Sequence, residues 1–184
     1  MRSEKEKMLA GELYDPADAE LVAERNRARA LCHQLNALVP PYDSRRRTLL
    51  ASLFGYTCDA SVGTPFHCDY GYNIRLASNV YFNVGCVLLD VMPIVIGRNA
   101  LLGPGVHIYA ASHPMSAVDR QSGKEFGSAV TIGDDVWIGG NAVVCPGVTV
   151  GAGCVIGAGS VVTRAIPAGV FAAGNPCRVI RSIT

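Results

Sequence analysis

From residue 130 onward the hydrophobic positions recur every six residues, so that VTIGDD, VWIGGN, AVVCPG, VTVGAG, CVIGAG and SVVTRA align as lines. The third column reads Ile132, Ile138, Val144, Val150, Ile156 and Val162. The first column, Val130, Val136, Ala142, Val148, Cys154 and Ser160, is small or β-branched. A helical stripe needs spacings of three and four, and a hairpin sheet needs alternation with two-residue turns, so neither explains this period. A short strand plus a tight corner does, if three such segments close into a triangular coil. One aliphatic side chain per segment then enters the shaft with a small one beside it. Gly or Asn takes the corner where positive φ is needed. Coils stacked about 4.8 Å apart set each aliphatic against its counterpart one turn away.

The same rhythm runs earlier with shifted phase. Leu76, Phe82 and Leu88 keep the spacing, and Ile96, Leu102 and Ile108 resume it after a slip of two. Residues 109–129 then break it, beginning within VHIYAASHPM and presenting His113. A solenoid tolerates such an excursion because a loop leaving one corner costs little closure entropy, and long excursions tend to carry function. Ahead of the repeat, Asp15-Pro16 reads as an N-cap followed by proline at the first helical position. Leu21, Leu31, Leu35 and Leu38 among charges make an amphipathic helix that Pro40-Pro41 ends. Asp43 is positioned to cap a second helix through Leu53, with Gly55 as its stop. The plan is mainly β: a helical cap over residues 1–58, a solenoid over 59–170 with its excursion at 109–129, and a tail over 171–184.

Composition narrows the function. Sixteen Lys+Arg against 15 Asp+Glu leave a net charge of +1, without the basic stripe of a nucleic-acid binder. No apolar run approaches the roughly 20 residues of a membrane span, and the charged N-terminus does not read as a secretory signal. The seven cysteines are odd in number and scattered without a CxxC pair, which fits small buried hydrophobes in a reducing cytoplasm. There is no Walker or Rossmann glycine pattern.

Taken together with NVYFNVGCVLLD, YAASHP, GNPCRVIR and the front segment EKEKMLAGELYDPADAELVAERNRARALCHQLN, the lines resemble the hexapeptide-repeat acyltransferases. More narrowly they resemble the maltose, galactoside and nodulation O-acetyltransferases, nearest to the maltose type. The resemblance implies a left-handed parallel β-helix, acetyl-CoA as co-substrate with no metal, and a sugar acceptor. It also implies a homotrimer with active sites between subunits.

An alcohol is a poor nucleophile at neutral pH, and imidazole titrates where a base is needed to take its proton. By resemblance His113 is that base, against the alternative of a loop histidine without a role. Glu125, in SGKEFG, would orient the imidazole or remain a solvated loop carboxylate. Asn83, in VYFN, matches a family asparagine beside the reacting groups, where it could bond the acceptor or the oxyanion. Its alternative is a corner asparagine with positive φ. The sugar contacts implied by matching motif are Asp15, Arg25, Tyr81 and Asp90. Val91 stands where galactoside enzymes carry a second acid, which leans toward glucose or maltose, and Arg25 could equally be a solvated helix arginine. For coenzyme A the matching positions are Trp137, Gly140, Ala158 and Thr163 along the pantetheine arm, with Arg164, Arg178 and Arg181 on the phosphates. The indole could instead be a subunit contact. Two other readings use the same fold: a γ-class carbonic anhydrase-like zinc site drawing on His67, His107 and His113, and a non-catalytic rod.

Overall fold

The computed structural model describes residues 2–40 and 44–183. Three helices open the chain: α1 (Glu4–Leu9), α2 (Ala19–Asn36) and α3 (Ser44–Phe54). Ser3 and Glu6 form a reciprocal capping box on α1. The cap of α2 is Asp18, whose carboxylate accepts from the amides of Glu20 and Leu21. This corrects the expectation placed on Asp15-Pro16. Asp15 instead accepts from Ala17 N and, through its carbonyl, from Asp18 N, so a turn precedes the helix. The capping role expected of Asp43 lies outside the described residues. Gly55 ends α3 at φ +80° with its amide on Ala51 O, as its composition suggested.

A parallel β-solenoid of about six turns follows. The first coil is β1 (Ser61–Val62), β2 (Phe66–Cys68) and β3 (Ile74–Leu76). The second is β4 (Tyr81–Phe82), β5 (Cys86–Leu89) and β6 (Ile94–Ile96). The third has β7 (Leu101–Leu102) and β8 (His107–Tyr109), then the excursion, with β9 (Ala111–Ser112), α4 (Ala117–Arg120) and β10 (Phe126–Gly127), before closing with β11 (Val130–Ile132). The fourth is β12 (Trp137–Ile138), β13 (Val143–Val144) and β14 (Thr149–Val150). The fifth has β15 (Val155–Ile156), β16 (Val161–Val162) and a bridge at Ile166. Then β17 (Val170–Ala173) and β18 (Arg178–Ser182) turn back as an antiparallel pair.

Three sheets form the faces, ordered β1-β4-β7-β12-β15-β17-β18, β16-β13-β8-β5-β2 and β14-β11-β6-β3. The expected column stacks in register, with Ile138 pairing both Leu102 and Ile156, and all three side chains 0–1% exposed. The small column is inward as well, so each short strand buries two side chains. A fully buried Val or Ile contributes on the order of 1.5–3 kcal/mol. Five of the seven cysteines are buried, and Cys58 and Cys145 are half-buried.

The glycines after each aliphatic have a different job from the one expected of the corner. Positive φ falls two residues later, at Asp135, Asn141, Gly153 and Gly159. Gly139 must be glycine because an added Cβ would lie 2.5 Å from Ala158 N and 2.9 Å from Ala158 Cα. The coils simply pass too close. Gly139→Ala is therefore expected to destabilise by about 1–3 kcal/mol, read as a lowered denaturation midpoint, whereas Gly153→Ala would act only through its φ of 66°.

Both ends of the stack are covered. At the first coil, Asn36 donates to Phe66 O (3.0 Å) and accepts from Phe66 N (2.9 Å), standing in for a neighbouring strand. The Tyr56 hydroxyl does the same for β3, accepting from Leu76 N at 2.7 Å and donating to Ile74 O at 3.2 Å. At the far end β18 runs antiparallel to β17.

Candidate active site

One corner of the prism carries every insertion. Between the second and third faces the inward positions are eight residues apart in the first two coils, Cys68 to Leu76 and Leu88 to Ile96, and the excursion leaves from the same corner in the third. Helix α2 lies over this corner, and together they enclose a cleft of about 550 Å³. Its polar lining comes from α2 (Arg25, Arg29), the first-coil insertion (Asp69, Tyr70) and the excursion (His113, Glu125).

Within the excursion, β9 and β10 pair antiparallel, Ser112 opposite Phe126. This short hairpin brings His113 and Glu125 side by side. His113 Nε2 is 3.9 Å from Glu125 Oε1, beyond hydrogen-bond length but within ion-pair range, with the imidazole 57% exposed at the mouth. Glu125 Oε2 accepts from the Tyr14 hydroxyl at 2.8 Å. Burial, then this carboxylate, hold the Tyr14 phenol far above its ordinary range.

Arg25 is not a solvated helix arginine. Its Nη1 donates to the Tyr70 hydroxyl at 2.8 Å, its Nη2 to Pro16 O, and its guanidinium lies 5.8 Å from the Tyr70 ring centroid. Burial pushes the Tyr70 phenol up to about 12. Asp69 is raised by burial and then by Glu125. Asp90, expected on the sugar, is fully enclosed: its Oδ1 accepts from Asp69 N (3.0 Å) and Tyr70 N (2.9 Å), and its Oδ2 has no partner. Burial lifts this carboxyl to about 7. Asp90 thus holds up the turn from which Asp69 faces the cleft. Asp15 is exposed near the cap turn, and Tyr81 is 40% exposed on the outer first face, away from the cleft.

Asn83 sits on a different corner, between the first and second faces. Through the first five coils its column is otherwise glycine: Gly63, Gly103, Gly139 and Gly157. Its φ is not positive, so the left-handed-corner alternative does not apply, and its Oδ1 accepts from Val84 N at 2.8 Å. Gly140 and Ala158 follow on the same corner, and Trp137 points outward from the adjacent face, 54% exposed. Arg178 and Arg181 are exposed on β18, Arg181 lying 5.9 Å from the Phe171 ring centroid. Thr163 and Arg164 are exposed on the corner that bears the excursion, two coils beyond it. The expected site residues therefore divide between two edges of the prism.

Tyr14, Arg29, Asp69 and Tyr70 were not singled out in the sequence. The signal was present: the two-residue slips mark the same corner as the excursion. Among the described residues, no three His, Cys, Asp or Glu side chains gather as a metal site would require. His107 bonds the Tyr109 hydroxyl. Among the described residues, no helix is long and apolar enough to cross a membrane.

A hexapeptide solenoid roofed by helices and carrying a histidine–carboxylate pair defines a class of transferases. Residues 7–57 match the maltose acetyltransferase hexapeptide capping motif, and residues 129–164 match the bacterial transferase hexapeptide of six repeats. A maltose O-acetyltransferase from Clostridium difficile 630 is 47% identical with a TM-score of 0.97, the alignment covering 100% of this chain and 98% of that one. The hexapeptide-repeat acetyltransferase VCA0836 of Vibrio cholerae, solved with acetyl coenzyme A, is 40% identical at TM-score 0.91, over 100% of both chains. Nodulation protein L of Rhizobium leguminosarum bv. viciae is 49% identical over 97% of this chain and 94% of its own length. The chain belongs to the hexapeptide-repeat acetyltransferases with a maltose acetyltransferase cap, and is an acyltransferase.

Proposed function

We propose that the chain moves an acetyl group from acetyl-CoA to a hydroxyl of a glucose- or maltose-type sugar, with His113 as general base in a ternary complex. The observation that carries this is the His113–Glu125 pair at the mouth of a polar cleft beneath the cap. The likeness to a maltose O-acetyltransferase and to an acetyl-CoA complex supports acceptor class and donor. In the transfer, imidazole takes the hydroxyl proton as the sugar oxygen attacks the thioester carbon. The tetrahedral oxyanion collapses, the carbon–sulfur bond breaks, and the imidazolium returns the proton to the departing thiolate. No enzyme residue is acetylated.

The cleft suits a sugar: carboxylates and guanidinium groups at fixed positions beside the Tyr70 ring. Arg25 and Asp69 face the acceptor, with Asp90 acting from beneath Asp69 and Asp15 at the cap turn. Asn83 bonds the oxyanion or the acceptor. A polar side chain where the other four of the first five coils carry glycine supports that role. Trp137, Gly140, Ala158 and Thr163 follow the pantetheine arm, and Arg164, Arg178 and Arg181 hold phosphates. Asn83 and His113 occupy different corners of one chain, which supports a homotrimer whose sites form between neighbours, Tyr81 reaching the acceptor from the adjoining copy.

Release of coenzyme A thiol from acetyl-CoA tests this, with glucose, maltose, a galactoside and serine as acceptors. Release is expected with glucose or maltose, less with the galactoside and none with serine. Release with serine alone would overturn the acceptor class.

A further inference from the structure

We propose that Tyr14 is a positioning residue for the transfer, acting through Glu125, so that the helical cap is part of the catalytic apparatus; this rests on His113 being the base. Tyr14 is completely buried although it carries a hydroxyl. Burying a phenol is costly unless its hydroxyl is partnered, and here the partner is Glu125 Oε2. The two backbones also pair, Tyr14 N donating to Glu125 O at 2.9 Å and Glu125 N donating to Tyr14 O at 3.1 Å. Three hydrogen bonds therefore join one cap residue to one excursion residue, 111 positions apart in sequence.

The backbone pairs alone would dock the loop, and a phenylalanine would fill the same space. The hydroxyl serves only the carboxylate. Glu125 needs that anchor because its surroundings pull in several directions. Asp69 on the first-coil corner repels it, Arg25 and Arg29 on α2 line the same cleft with the opposite charge, and Lys124 is its neighbour in the loop. With Oε2 held by Tyr14, Oε1 stays directed at His113 Nε2. The imidazole gains a fixed negative neighbour for the moment it carries the transferred proton. Without the phenol, the carboxylate is free to swing toward the guanidinium groups, and the imidazolium loses that stabilisation.

The test compares Tyr14→Phe, Glu125→Gln, the double variant and His113→Ala by thiol release at saturating acceptor, with KM for acetyl-CoA measured alongside. Tyr14→Phe is expected to lower kcat about tenfold with KM for acetyl-CoA unchanged, and to have no further effect once Glu125 is Gln. Glu125→Asp, which keeps the charge but shortens the reach to the phenol, provides a second route and should lose activity to a similar degree. Wild-type kcat in Tyr14→Phe, or an equal loss in both backgrounds, would overturn the proposal while an inactive His113→Ala leaves the base assignment standing. Full activity in His113→Ala would overturn the functional reading itself.

Discussion

His113→Ala is expected to lower kcat by about 10²–10⁴-fold, with little change in KM for acetyl-CoA and none in thermal stability. The side chain is 57% exposed and bonds nothing in the core, so its loss leaves no cavity. The β9–β10 pairing that shapes the excursion is made by backbone, which alanine retains. What disappears is the one imidazole among the described residues lining the cleft. An unassisted alcohol must then attack while still protonated, and the barrier rises by the general-base contribution. The residues expected to meet coenzyme A lie on other segments, so donor binding is untouched. Steady-state thiol release and a denaturation curve separate the two effects. Wild-type kcat would remove His113 from the chemistry, whereas a lowered midpoint would mean that the loop collapses without it.

Asp90→Asn is expected to stabilise the protein by an amount that grows as pH rises from 5 to 8. Burial raises this carboxyl from its ordinary value of 3.8 to about 7 in the folded state. Between those values the folded protein holds a proton that the unfolded chain has released, so stability falls as pH rises. The contribution is fully present below the lower value and lost as pH climbs through the upper one. At about 1.4 kcal/mol per unit, the full effect is on the order of 4 kcal/mol, of which roughly 3 kcal/mol falls between pH 5 and pH 8. For a chain of this size that is roughly 10 °C in midpoint. Asparagine keeps an oxygen to accept the Asp69 and Tyr70 amides but never ionises. Denaturation midpoints of both proteins at pH 5, 6, 7 and 8 should diverge up to about pH 7 and then level off. A constant gap would show that Asp90 ionisation is not coupled to folding.

The solenoid was legible because one inward aliphatic per six residues has no competing explanation, and Ile138 between Leu102 and Ile156 stacks as the column demands. The corners were less legible, because glycine answers two needs that look alike in sequence: left-handed backbone at Gly153, and clearance between coils at Gly139. At the cap the two aspartates of DPAD competed, and Asp18 prevailed. The buried Tyr14 fixes the preceding backbone against Glu125, leaving Asp15 to close a turn. The cleft was legible only where a motif carried it. His113 and Glu125 share a local segment, but Asp69 and Tyr14 reach them through contacts across the fold, and no local spacing announces those. Asp90 shows the converse limit, since an acid placed to touch a sugar and one placed to hold a turn are the same letter in the chain.

The repeat contains no instruction for how many times it should be used. Each coil offers its neighbour the same unpaired edge, and a bare solenoid would accept a second molecule end to end as readily as another turn of itself. Asn36 and Tyr56 occupy the edges of β2 and β3 at one end, and the reversed β18 interrupts parallel stacking at the other. Molecular length is therefore set by the terminators alone. An additional 18-residue turn spliced between the fourth and fifth coils should lengthen the rod without converting it to a filament, whereas removing a terminator should expose an edge for fibre growth.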